Sequence, residues 1–129
     1  MLVKSSTNPF ELVFTNMKVT QASMLSPGQI DECKHLGTLL ARLRLARKIK
    51  QSDAALRAGL SRNTAYRLEH GDPGLAMGQV LRYLEAISPS STLLDLLSEK
   101  DPALLALDAR EKSKRVRDMS AAEREELDF

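Results

Sequence analysis

The stretch GLSRNTAYRLEHG, Gly59–Gly71, constrains the fold more tightly than any other segment of the chain. Its two glycines bracket a run with helical spacing. Ser61 is placed to cap a helix that starts at Arg62 and ends near His70, with Gly71 as its stop. Ala65 and Leu68, three apart, define an inward side. Arg62 with Tyr66, and Asn63 with Arg67, form two columns four residues apart on the opposite side. That outward side carries no acid, whereas a plain solvated helix would mix Glu with Lys there. Upstream, Gln51–Ala58 reads as a second short helix whose close-packing side is Ala54, Ala55 and Ala58. Gly59 suits the left-handed residue that would end it. Two short helices, a small residue at their crossing (Ala55), a glycine in a tight turn and apolar Leu60 just after it make a helix-turn-helix.

The rest of the chain is read as helical too. Aromatic residues make up 4% of the sequence and Trp is absent, so the core must come from Leu, Ala, Ile, Val and Met. Such a core favours helices over sheets. Ser26-Pro27-Gly28-Gln29 is a capping box with proline in the first helical position. The helix it opens is expected to run to about Lys48, with Leu36, Leu40, Leu43 and Arg47 on one face. After the GDPG turn, a helix over about Leu75–Ile87 should turn Val80, Leu84 and Ile87 inward. SPSS breaks it, TLLDLL gives a short leucine-rich helix, and Asp101-Pro102 caps another that runs into AREKSKRVR. Ser120–Glu123 repeats the capping-box pattern and is expected to open an acidic tail. Residues 1–25 show no helical period. Phe10, Leu12 and Phe14 have a β-like alternation but no partner strand, and translation could begin at Met17 or Met24. The expected fold is all-α: a poorly ordered arm (1–25), a five-helix domain (26–98), and a C-terminal helical extension with an acidic tail (99–129).

The formal net charge of +2 conceals its distribution. Residues 36–70 hold eight basic and two acidic side chains, a local charge of +6, while residues 71–129 hold eight basic and twelve acidic ones. A basic block that coincides with a helix-turn-helix is the footprint of a nucleic-acid partner. The second helix of such a motif offers its residues to the major groove. There an arginine fork matches guanine O6 and N7, and an asparagine amide matches adenine N6 and N7. Tyr66 could meet a thymine methyl or a phosphate.

The segment LGTLLARLRLARKIKQSDAALRAGLSRNTAYRLEHGDPGLAMGQVLRYLEAI resembles the Cro/lambda-repressor-like (XRE) helix-turn-helix regulators. The resemblance spans Leu36 to about Ile87 and implies a five-helix domain that binds double-stranded DNA at a pseudo-palindromic operator as a homodimer. It also implies base contacts from Arg62, Asn63 and Arg67, with Tyr66 at a variable position between them. Phosphate contacts from Gln51 and His70 follow from it as well. Arg44 and Glu69 match an Arg–Glu pair that joins the first and third helices of many members. Lys50 stands where Thr is usual, losing a hydroxyl cap and adding a charge near the backbone. Ala54 and Ala65 are smaller than the usual Leu or Ile.

REKSKRVR (Arg110–Arg117) has two readings: a further phosphate clamp, or cations suited to a helix end. The tail MSAAEREELDF could fold onto a protein partner. That layout resembles the HipB-like antitoxins, which would make a protein toxin the partner. TLLDLLSEKDPALLAL holds more leucine than one short helix buries, either as a dimer contact or to close the monomer core. Catalysis is not expected. Cys33 and His35 are two apart and so point to different faces of a helix, neither histidine sits in a metal-spaced cluster, and no phosphate loop or nucleophile motif occurs. No metal, cofactor or membrane span is expected, and a lone cysteine makes a cytoplasmic setting the default.

Overall fold

The computed structural model describes residues 20–127, and every regular element among them is an α-helix. A single turn, α1 (Gln21–Met24), precedes α2 (Pro27–Ala46), α3 (Gln51–Ala58), α4 (Arg62–Glu69), α5 (Met77–Ile87), α6 (Leu93–Ser98) and α7 (Pro102–Leu127). The segment Phe10–Phe14 and Met17 lie outside the described residues. α1 falls in the stretch where the sequence shows no helical period. It is closed by local bonds alone, the Ser23 amide and hydroxyl both donating to the Thr20 carbonyl, and it buries nothing. Hydrophobic period reports burial, so a single exposed turn leaves no such mark.

Helix α2 begins where the capping box places it. The Gln29 amide donates to Ser26 Oγ at 3.2 Å, and the Ser26 amide donates to Gln29 Oε1 at 3.0 Å. The helix stops at Ala46, short of Lys48, because Lys48 adopts a left-handed backbone with φ 58°. Its buried side is Gly37, Leu39, Leu40, Leu43 and Ala46. Arg47, expected on that face, instead lies beyond the helix end and is exposed, with Nη2 donating to Asp101 Oδ2 at 2.5 Å.

The core gathers Leu39, Leu40 and Leu43 of α2, the three alanines of α3, Ala65 and Leu68 of α4, Tyr83, Leu84 and Ile87 of α5, and Leu96 of α6. α3 packs on α4 and α5, and α2 packs on α4, α5, α6 and α7. The small alanines of α3 let these helices approach closely. α5 starts at Met77, two residues later than expected, where the Ala76 amide donates to Gln79 Oε1 at 3.0 Å. Asp101 Oδ1 accepts from the amides of Ala103 and Leu104 and so opens α7. The first half of α7 lies on α2, with Leu104 buried and Arg42 bonded to Asp108 and Glu111. The helix then continues unbroken to Leu127, so Ser120–Glu123 lies inside it and does not start a new one. A capping box acts only where the chain enters a helix from an extended residue, and no Gly or Pro between Ala103 and Leu127 interrupts this one.

α2 and the end of α4 approach closely, with glycine on both sides of the contact at Gly37 and Gly71. Gly71 has φ +72°, and a Cβ there would come within 2.4 Å of the Cys33 carbonyl oxygen. Gly71→Ala should therefore lower the free energy of unfolding by at least about 2 kcal/mol, combining left-handed strain with a backbone clash. Chemical denaturation measures it, and a change within about 0.5 kcal/mol of zero, typical of an inert surface position, would contradict the packing described.

Candidate nucleic-acid interface

The turn between α3 and α4 is built from backbone bonds. Gly59, at φ 68°, sends its amide to the Leu56 carbonyl at 3.1 Å, and Leu60 sends its own to Ala55 at 2.9 Å. Ser61 Oγ then accepts the Thr64 amide at 3.0 Å and starts α4. On α4, Ala65, Leu68 and Glu69 are buried, while Arg62, Asn63 and Tyr66 are exposed and Arg67 is half-buried. The three or four side chains that a recognition helix needs on one outward side are thus present, backed by an anchored inner side.

Glu69 is what orients that helix. Its carboxylate is 5% exposed and accepts Arg44 Nε at 2.6 Å, Arg44 Nη2 at 3.0 Å and Gln51 Nε2 at 2.9 Å, along with the Tyr83 hydroxyl. Four donors fill the lone-pair sites of one carboxylate. Arg44 Nη1 also donates to the Ile49 carbonyl at 2.9 Å, so one guanidinium ties α2 to α4 and to the loop before α3. Burial, and then the Glu69 carboxylate, push the Tyr83 phenol well above its ordinary pKa, which keeps it a donor. Sequence reasoning missed Tyr83. Its signal was its spacing, three after Val80 and four before Ile87, together with a buried hydroxyl that must find an acceptor.

The remaining site residues sit in more particular settings than the sequence conveyed. Gln51 uses one amide N–H on Glu69 and keeps a second. Lys50 precedes α3 with an extended backbone and supplies no side-chain cap, leaving first-turn amides of that helix for an anion. The His70 ring stacks on Tyr66 with centroids 3.9 Å apart, and its Nδ1 lies 2.8 Å from the Tyr66 carbonyl oxygen. A carbonyl only accepts, so Nδ1 carries the proton in that bond. His70 then offers a hydrogen to a phosphate through Nε2 only as an imidazolium.

Arg67 has an acidic neighbour that the reading of an acid-free face overlooked. Arg67 Nε donates to Asp72 Oδ2 at 2.7 Å, and the Gly74 amide donates to Asp72 Oδ1 at 2.7 Å. These two bonds, the amide first, hold the Asp72 carboxyl below the usual carboxylate range. Asp72 lies outside α4, in the turn, so helical spacing could not place it on this face.

The second basic cluster is not at a helix end. Arg110, Lys112, Lys114, Arg115 and Arg117 are exposed along the middle of α7, which removes the helix-end explanation for them. Cys33 is half-buried, and His35 Nε2 lies 3.7 Å from Glu99 Oε2 on the surface.

Residues 35–97 match the family model of a helix-turn-helix domain. No curated protein and no solved structure matches the chain. The matched span holds the α3–turn–α4 unit, its Arg44–Glu69–Tyr83 brace, α5, and all of α6 but its last residue.

Replacing Glu69 with Ala takes the carboxylate from the largely buried Arg44 guanidinium and the buried Tyr83 hydroxyl. The expected loss is about 3–5 kcal/mol of unfolding free energy, read from the denaturant midpoint. Glu69→Gln, which keeps shape and two acceptor lone pairs, should lose less. A loss below about 1 kcal/mol for Glu69→Ala would show that the brace does not hold α4.

Proposed function

We propose that this chain is a sequence-specific double-stranded DNA-binding transcription regulator of the Cro/lambda-repressor-like (XRE) kind, acting as a dimeric repressor by binding and not by catalysis. The observation that carries this reading is the outward side of α4: Arg62, Asn63, Tyr66 and Arg67 on a helix whose other side is fixed by Ala65, Leu68 and Glu69. Arg62, Asn63 and Arg67 read base edges in the major groove, with Tyr66 beside them. Gln51, Lys50 and His70 hold phosphates, which sets register without reading sequence. No cofactor enters this account, and its setting is cytoplasmic.

Dimerisation is supported by apolar surface near the C-terminal side of the domain. Leu94 is 77% exposed and Leu97 49%, both on α6, and Leu105 of α7 is 52% exposed. A dimeric reader of this kind presents its two α4 helices to half-sites about one helical turn, roughly 34 Å, apart.

Selection from a random DNA library at physiological salt should enrich a pseudo-palindrome. Arg67→Ala should cost about 1–3 kcal/mol on the selected site and relax preference at one base pair per half-site. Lys50→Ala should weaken all sequences alike and reduce the salt slope by about one. Failure of any motif to emerge would sink the reading.

A second reading, an antitoxin that also binds a protein toxin, is favoured by the distal part of α7. Val116, within the basic cluster, and Met119, just after it, are each 63% exposed and precede the acidic EREELDF segment. Deleting residues 119–129 should abolish co-purification with the product of a neighbouring toxin-like gene while leaving DNA affinity intact. Undiminished co-purification would count against the tail.

A further inference from the structure

We propose that Asp72 is a positioning residue for base reading: it grips the Nε–H of Arg67 and presents the two terminal amino groups of that guanidinium as an end-on fork to a guanine. The inference rests on the reading of α4 as the base-reading helix and deepens it.

The chain makes the same turn twice. After α3, the amides of Gly59 and Leu60 turn back to the carbonyls of Leu56 and Ala55; after α4, those of Gly71 and Asp72 turn back to Leu68 at 3.1 Å and Arg67 at 3.0 Å. This geometry sets the residue after the glycine over the residue five before it, and an apolar pair commonly closes the contact. The first turn follows that rule, since Leu60 packs against the core. The second places an acid over an arginine. Closing the turn does not require that charge, and a carboxylate on a face turned to DNA is repelled by the phosphates that flank the groove. A grip on Arg67 accounts for it.

The grip is geometrically specific. Asp72 is itself held, its amide on the Arg67 carbonyl and its Oδ1 on the Gly74 amide at 2.7 Å, which leaves Oδ2 to take Arg67 Nε at 2.7 Å. Among the described residues, the hydrogen bonds of the Arg67 side chain engage Nε and leave Nη1 and Nη2 unpartnered. Those two groups are a pair that can span guanine O6 and N7. A free arginine would have to be ordered from many rotamers when it binds; one held at Nε is ordered beforehand. Arg62 and Asn63 of the same helix have no such partner among the described hydrogen bonds, so the effect should be confined to the base pair read by Arg67.

Random-library selection on the full chain, run in parallel for wild type, Asp72→Asn, Arg67→Ala and the double variant, tests this. Asp72→Asn keeps the acceptor for Gly74 and removes the charge that holds Nε. Wild type should prefer guanine at one position per half-site by roughly tenfold. Arg67→Ala should lose that preference. Asp72→Asn should lose most of it at the same position and leave the other positions untouched. Its affinity for unrelated DNA should stay equal or rise, because an acid has left the interface, and the double variant should read like Arg67→Ala. Melting curves would confirm that each variant is folded, and Asp72→Ala would repeat the test without the amide. A guanine preference that survives or sharpens in Asp72→Asn would overturn the proposal while leaving the DNA-reading role of α4 standing. A wild-type chain that shows no preference at any position would overturn that role, and this inference with it.

Discussion

The Glu69 carboxylate is the point on which the arrangement of helices depends. It sits at the end of α4 and collects hydrogens from α2, α3 and α5 through Arg44, Gln51 and Tyr83. A buried ion pair is poor at adding stability, because desolvation offsets most of the attraction. Here it sets orientation. The apolar contacts of α4 are an alanine and a leucine, which alone would tolerate rolling of the helix about its axis. Four hydrogen bonds converging on one carboxylate do not. The side of α4 that faces outward is therefore decided by a residue that faces inward.

Both ends of α4 add to that control. Ser61 fixes its start, and the left-handed Gly71, lodged against the backbone of Cys33 and Lys34, fixes its end. The backbone bonds that follow Gly71 bring Asp72 to Arg67. The same turn thus terminates the helix, docks it on α2 and holds one of its outward side chains. Rigidity of this kind suits a reader of base edges, since a helix displaced by an ångström would misplace every fork it carries.

Much of this was legible in the sequence because it rests on local rules. Gln51–Ala58 is bounded by a glycine and packs on alanines at helical spacing, and the Ser26 box marks the start of α2 to the residue. Illegible features depended on contacts between segments. Period alone puts Arg47 on the buried stripe, yet the left-handed Lys48 ends the helix before it. Tyr83 carries no local sign of its role, because its partner Glu69 lies on another helix. Asp72 reads as turn chemistry, which it is, but its pairing with Arg67 arises from the path of the turn and not from helical spacing. The continuity of α7 through Ser120 shows the opposite limit: a capping pattern is permissive, and a chain already in a helix with no breaker passes through it.

The central claim is that α4 enters the major groove and reads base edges there. Methylation interference on a selected site tests it most directly, because dimethyl sulfate marks guanine N7 in the major groove and adenine N3 in the minor groove. The account predicts that methylation at N7 of a guanine in each half-site blocks binding, and that Arg67→Ala removes the sensitivity at that guanine. Binding that ignores N7 methylation, or that is blocked only by adenine N3 methylation, would contradict it.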